Sequence, residues 1–453
     1  MRQVVAISLL AILATSCEKK LDVFPTQSIS ADQALLTEGD VNASLIGCYD
    51  GIQSGSLYGG DIMVLNELIG NSEDIRFTGT FAALNESYNA IMTSNNSFAA
   101  STWIAAYNTI NRCNNVLASL DKITSSDANR NKVKGEALFL RSCLFFELVK
   151  IYGKFPGDGS LTSNPGVPLI LTPTTVVGEE AKVTRNTQKE VYDQAIKDLT
   201  EAESLLPSSN SRYANKWAAA AMLSRIHLVL GNYAEARDAA NRVITGSGRT
   251  LASSFNNLWF TFINLGGTTP TEYLFYIKVT TQDGTNSLNT YFGRTISAIP
   301  GTAGRSDCKI KSTHLLKYEA GDARNYFIVS GGNNYTRKHL DRYGDVPVIR
   351  LAELYLTRAE ANFRLSTAIG ATPLADVNVI RARAGLAPLA TVDLNAITKE
   401  RYLELAFEGH NLEDKKRLKL PIGALEWNSP KLIYPIPQRE TDANPNLTQN
   451  EGY

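Results

Sequence analysis

The stretch KWAAAAMLSRIHLVLGNYAEARDAANRVI, residues 216–244, does most to limit what this chain can fold into. Ala218 to Ala221 are small enough to let one helix lie close against another, Gly231 and Asn232 supply a turn, and Tyr233 and Ala236 open a second helix. A helix pair of this kind leaves an apolar face that it cannot bury alone. The chain therefore needs further pairs stacked on this one.

The sequence supplies them. The run of leucine, glycine and tyrosine with spaced alanines matches the tetratricopeptide pattern. A similar pair is expected at RLAELYLTRAEANFRL and PLADVNVIRARAGL, and helices 104–120 and 134–152 form another candidate. Trp103, Ile104, Tyr107 and Ile110 recur at helical spacing. In KGEALFLRSCLFFELVKIYG the apolar positions wrap more than one face, which predicts a helix buried between neighbours. VYDQAIKDLTEAESLLP reads as a helix stopped by Pro207, and ADQALLTEGDVNASLIGCYDGI as one or two helices with a break at Gly39. Residues 250–346 change character: they are rich in Gly, Thr, Asn and aromatics, with one alternating strand-like run over Glu272 to Thr280. A connection this long usually carries function. The expected fold class is mostly α, a tetratricopeptide-like helix-pair scaffold with minor β.

Equal numbers of Lys+Arg and Asp+Glu, 45 each, remove the electrostatic footprint of a nucleic-acid binder. At the N-terminus, Arg2, the apolar run Val4 to Ala14 and the small residues before Cys17 follow signal-peptide grammar. The run is too short to cross a bilayer as a helix. Small residues directly before a cysteine resemble a lipobox, with Ala14 where leucine is usual, so Cys17 is the expected lipidation site. Cys48, Cys113, Cys143 and Cys308 have no metal-binding spacing, and Cys113 and Cys143 read as core thiols. His227, His314, His339 and His410 are scattered, and no phosphate-cradling glycine pattern or nucleophile elbow occurs. Nearly all carboxylates read as lying on solvated helix faces. Arg350, Glu353 and Arg358 read as an ion-pair face. No enzyme, metal ion or cofactor is expected.

The tail, LIYPIPQRETDANPNLTQNEGY, resembles the C-terminal signature of the SusD/RagB family of outer-membrane nutrient-binding lipoproteins of Bacteroidetes. Ordered matches elsewhere are EALFLRSCLFFELVKIYGKFP with GVPLIL, LGNYAEA, PVIRLAELYLTRAEA and ERYLELAFEGHNLEDKKRL, with His410 where arginine is common. The resemblance implies a signal peptide over 1–16, a lipidated tether over 17–28 and one fold over 29–453, with an N-terminal part to about 249 and a loop-rich and C-terminal part from about 250. It implies a helical side and an irregular, loop-rich ligand-binding side. It also implies a non-enzymatic protein, anchored to the outer membrane by its lipid and exposed at the cell surface. Such a protein would capture an oligosaccharide and deliver it to a SusC-like TonB-dependent transporter as its lid. Alternatives are a peptide-binding, RagB-like member and a glycoside hydrolase. The tail itself reads as structural, its prolines holding an extended path and Gln438, Asp442, Asn444 and Asn446 suiting turns.

Sugar sites combine aromatic faces with amide, carboxylate or guanidinium partners. Two loop regions offer that mixture. The first supplies Asn71, Asp74, Arg76, Asn95, Asn96 and Phe98, with Trp103 at the start of the following helix as a further candidate; the second supplies Trp259, Tyr291 and Phe292, with Asn286 and Asn289 beside them.

Overall fold

Thr37 and Asp40 decide where the first described helix begins. The Asp40 amide donates to Thr37 Oγ1 at 3.2 Å, and the Thr37 amide donates back to the Asp40 carboxylate at 2.9 Å. Helix α1 (Glu38–Gln53) therefore runs through Gly39, where a break was expected. Two reciprocal capping bonds outweigh the cost of one glycine in a helix. The computed structural model describes residues 35–175 and 178–453; the leader, Cys17 and the tether 18–28 lie outside the described residues.

The chain continues through α2 (Asp61–Gly70), α3 (Ala82–Tyr88), α4 (Ser97–Ala118), α5 (Asp127–Tyr152), α6 (Gln188–Leu205), α7 (Lys216–Leu230) and α8 (Tyr233–Gly246). After the loop-rich insertion, which contains α9 (Ser287–Phe292), follow α10 (Leu351–Leu365), α11 (Pro373–Arg383), α12 (Leu394–Glu404), α13 (Asn411–Arg417) and α14 (Gln438–Ala443). Helix α4 packs on α1 and α5, α5 on α6, α6 on α7, α7 on α8, α8 on α10, and α10 on α11 and α12. This is the expected stack of pairs, and it continues across the insertion. Every residue of α5 from Gly135 to Tyr152 is buried, as its all-round apolar pattern predicts.

The strands are short. Strands β1 (Ile75–Phe77), β3 (Cys308–Ile310), β5 (Asn333–Thr336) and β4 (Phe327–Ser330) form an antiparallel sheet in the order β1-β3-β5-β4. Strand β2 (Tyr273–Ile277), inside the expected Glu272 to Thr280 run, pairs with β6 (Val346–Arg350). The pairing of Ile75 with Ile310 and Phe77 with Cys308 joins the first loop region singled out in the sequence to the 250–346 insertion. The tail behaves as a clamp: Asn450 Nδ2 donates to the carbonyls of Tyr152 and Tyr434 at 2.8 and 2.7 Å, and Asn444 Nδ2 to Val183 O at 2.8 Å.

The carboxylates correct the expectation of a solvated surface. Glu353, Glu360, Glu404 and Glu408 are buried, each beside a cation brought from another element. Arg350 is itself buried and reaches Glu272 at 2.8 Å, Glu404 at 2.5 Å and both oxygens of Glu408 at 2.8 and 2.9 Å. Lys338 joins Glu408 at 2.6 Å. Burial alone would raise the Glu408 carboxyl, but Arg350 and Lys338 hold it down at about 2. Likewise Glu353 pairs with Arg225 of α7 at 2.6 Å, and Arg358 with Asp376 of α11 at 2.6 Å. Arg350, Glu353 and Arg358 are thus ion-paired, but inward and to separate partners. Helical spacing does not reveal partners so far off in sequence.

Helix α2 lies wholly inside, and two of its acids lack a matching cation. Burial pushes Asp61 up to about 6, against a hydrogen bond from Ser287, and Glu67 up to about 7, against the Gly409 amide and Asn71. Both pKa values lie above those of the unfolded chain, so the folded state binds protons more readily. Stability from these groups is highest at low pH and declines as pH rises through the folded pKa.

Two outcomes are expected. Arg350→Met leaves buried carboxylates without their cation and costs about 3–5 kcal/mol in urea unfolding; a loss below about 1 kcal/mol would show that the cluster is not a structural centre. Asp61→Asn is more stable than the parent at pH 8 by up to about 3 kcal/mol and equal to it near pH 4. A stability difference that does not change with pH would exclude a raised Asp61.

Candidate ligand-binding site

Asn96 builds the first wall of the site. As the cap of α4 its side-chain oxygen accepts from the amides of Phe98 and Ala99, both at 3.1 Å, while its NH₂ donates to Ala83 O at 2.9 Å and Glu86 at 2.8 Å. This bonds the start of α4 to α3 and fixes Phe98 in the first helical turn. Phe81, just before α3, stands beside it. The second wall is α9, capped by Asn286, whose side chain accepts from the Asn289 amide at 2.8 Å. Asn289 in turn donates to His339 O at 2.9 Å and Leu340 O at 3.2 Å. Gly60, with φ +132°, lets α9 approach α2: a Cβ there would meet Leu288 N at 2.8 Å.

Between these walls Phe81, Phe98 and Tyr291 form a three-way edge-to-face cluster. Ring centroids lie 6.4 Å apart for Phe81 and Phe98, 6.1 Å for Phe81 and Tyr291, and 6.3 Å for Phe98 and Tyr291. Tyr291 is 7% exposed and supports the cluster from below; Phe81 is 43% exposed and presents its ring outward. The Arg305 guanidinium lies 4.7 Å from the Phe81 ring centroid. Arg305 is oriented by Asp307 at 2.9 Å and reaches Thr80 Oγ1 at 3.4 Å. Burial, then the nearby Asp61 charge, pushes the Tyr291 hydroxyl up to about 12, so it stays a neutral donor and acceptor. The arrangement offers an exposed aromatic ring with a guanidinium stacked over one of its faces.

The other residues singled out in the sequence go elsewhere. Asp74 is buried against Lys317 at 2.8 Å and His314 at 3.2 Å. Burial opposes its ionisation, but these two partners hold its carboxyl below the usual value. Asn71 is buried at the end of α2, donating to Glu67 at 3.3 Å. Phe292 is fully buried between His339 and Phe407. Trp259, also buried, packs on Phe255, with Lys338 5.0 Å and Arg350 5.9 Å from its ring, as a wall of the ion cluster. Arg76 is exposed on β1 and bonds Asn333 at 2.5 Å, and Asn95 is exposed just before α4. Trp103 packs on Tyr107 and Tyr152 at 4.9 and 5.0 Å. It lines a separate cleft of about 950 Å³ between α4 and α14 that includes none of the three aromatics above.

Phe81 and Arg305 were missed in the sequence. Phe81 gave the same signal as Tyr291, an aromatic in a polar loop; Arg305 gave none beyond its charge. The histidines serve structure: His339 Nε2 lies 2.7 Å from Phe407 O, and His410, buried 3.8 Å from Glu353, is pushed down to about 4 by burial. Among the described residues, no group of three or more His, Cys, Asp or Glu is placed to hold a metal ion, and no helix is long and apolar enough to cross a membrane.

Comparison with known proteins agrees with this architecture. The model of a family described as "Starch-binding associating with outer membrane" matches residues 21–228, and that of the SusD family matches residues 275–432. A SusD-like protein, P2, of Formosa agariphila is 24% identical over 96% of this chain and 96% of its own. The crystal structure of a SusD superfamily protein from Bacteroides vulgatus superposes with a TM-score of 0.80 at 24% identity, covering 92% of this chain and 99% of that one. A structure titled as a laminarin-binding SusD-like protein gives 0.74 at 22%, covering 92% and 100%. The stacked helix pairs, the loop-rich insertion between them and the two family matches, one over the N-terminal part and one running from within the insertion through the C-terminal helices, lead to one assignment: this chain belongs to the SusD/RagB family.

Proposed function

We propose that the protein is a cell-surface lipoprotein that captures an oligosaccharide on the Phe81, Phe98 and Tyr291 cluster and delivers it to a SusC-like TonB-dependent transporter, acting as its lid. The observation that carries this reading is the exposed Phe81 ring flanked by Arg305. A pyranose ring has an apolar C–H face and hydroxyl edges, and it matches an exposed aromatic ring that has a guanidinium beside it. The proposal extends to Arg76 and Asn95, which are exposed on the segments preceding Phe81 and Phe98. Asn71, Asp74, Trp259 and Phe292 hold the scaffold behind it.

Cys17 carries the lipid in this reading, and residues 18–28 form a tether on which the body, residues 29–453, swings as one unit. The helical side faces the transporter. Binding leaves the ligand intact: Asp307 is already engaged by Arg305, and Asp61 lies sealed beneath the cluster. Two cleft carboxylates free to act as acid and base would be needed for hydrolysis.

Calorimetry of the full chain against oligosaccharides and peptides, with product analysis, tests the proposal. An oligosaccharide binds saturably and is recovered uncleaved, and Phe81→Ala weakens it by about 1–2 kcal/mol, or roughly 5- to 30-fold. Binding of peptides alone, cleavage of the sugar, or an unchanged affinity in Phe81→Ala would each contradict it.

A further inference from the structure

A second exposed aromatic with an arginine beside it lies on the same loop-rich side. Phe262 is 40% exposed. Its ring meets the half-buried Tyr343 ring edge to face at 5.2 Å, and the Arg342 guanidinium lies 5.4 Å from the centroid of Tyr343. The composition repeats that of the Phe81 cluster: an outward phenyl ring, a supporting tyrosine and a guanidinium.

The backbone under this pair is built to hold it. Asp341, itself buried, accepts from the amides of Phe262 at 2.8 Å and Ile263 at 3.1 Å through one oxygen, and from the Tyr343 amide at 3.3 Å through the other. One carboxylate thus sets the positions of both aromatic residues, which come from segments about eighty residues apart in sequence. Phe260, two residues earlier, adopts φ +62° while its own side chain is buried. A bulky residue in the left-handed region is strained, and such strain is retained where the surroundings enforce it. Gly301 closes the underside, since a Cβ there would meet Ile263 Cγ1 at 2.9 Å. Phe262 is therefore held outward by its own framework.

This feature is continuous with the first site. The Arg342 amide donates to Gly301 O at 3.1 Å, Ala303 N to Leu340 O at 3.2 Å, and Arg305 N to Thr290 O in α9 at 2.8 Å. One segment, residues 301–305, thus links the Arg342 turn to Arg305. Four residues of chain reach at most about 14 Å. Helix α9 makes the same connection, because its cap Asn286 donates to Gly344 O at 3.1 Å while Tyr291 joins the Phe81 cluster at its other end. Five residues of helix span about 7.5 Å.

We propose that Phe262, Tyr343 and Arg342 form a second sugar-stacking subsite, so that the ligand is an extended oligosaccharide lying across both aromatic clusters. This rests on the proposed glycan-capture function and adds a requirement for chain length. A short sugar uses only the Phe81 cluster. A longer one gains the second contact without a second association cost, so affinity rises with length.

The test is calorimetric titration of the full chain with gluco-oligosaccharides, α-1,4- and β-1,3-linked, of two and of six glucose units. In the parent, the six-unit ligand of the preferred linkage binds more tightly than the two-unit one. Phe262→Ala lowers six-unit affinity roughly tenfold and leaves two-unit affinity unchanged, whereas Phe81→Ala lowers both. Arg342→Ala repeats the length-dependent loss more weakly, and thermal melting confirms that each variant is folded. If Phe81→Ala weakens binding while Phe262→Ala and Arg342→Ala weaken neither length, or both lengths equally, the second subsite is wrong and glycan capture stands. If neither glucan series binds the parent, the second subsite as proposed is wrong; if a series binds but Phe81→Ala has no effect on it, the glycan-capture reading fails and takes the second subsite with it.

Discussion

The Arg350 guanidinium is the fixed point of the structure. It sits at the end of β6, immediately before the long helix α10, and bonds Glu272 in the insertion, Glu404 at the end of α12 and Glu408 in the turn that follows. Arg383 of α11 reaches Glu272 at 3.1 Å, and Lys338 reaches Glu408. A buried charge is tolerated only when it is paired and hydrogen-bonded, so these segments have to arrive together. The cluster thereby clamps the loop-rich insertion onto the helical stack. Trp259 closes one side of it, which is why that indole faces inward.

The loop-rich side inherits its rigidity from this arrangement. Segments that would otherwise be free loops are held by short strands and single side chains: β1 on β3, Asn96 on α3, Asn289 on the 339–340 carbonyls, and Asp341 on the amides of Phe262 and Tyr343. An aromatic face whose backbone is already fixed loses little freedom on binding, and preorganisation of this kind is an efficient source of affinity. The two clusters differ from the cleft beside Trp103 and Tyr107 in having an arginine stacked on an aromatic ring.

The helical stack was legible in the sequence because helix periodicity is local: Trp103 with Tyr107 and Ile110, or Ala218 to Ala221 before Gly231, reveal themselves within one or two turns. The tail was equally legible as a set of backbone clamps. What was not legible depended on contacts between distant residues. Nothing local to Ile75 announces Ile310 as its partner, and nothing in ERYLEL shows that Glu404 is buried against Arg350. Asn96 and Tyr291 were singled out from separate loops, but their convergence follows from strand pairing across more than two hundred residues. Asp74 and Phe292 carried the right chemistry, yet burial gave them other partners.

The most direct test of this account is a crystal structure of the full chain with a bound six-unit gluco-oligosaccharide of whichever linkage binds. The account predicts a sugar ring stacked on Phe81 beside Arg305, a later ring against Phe262, and an intact glycosidic chain between them. A sugar seated instead in the cleft between α4 and α14, against Trp103 and Tyr107, would contradict it.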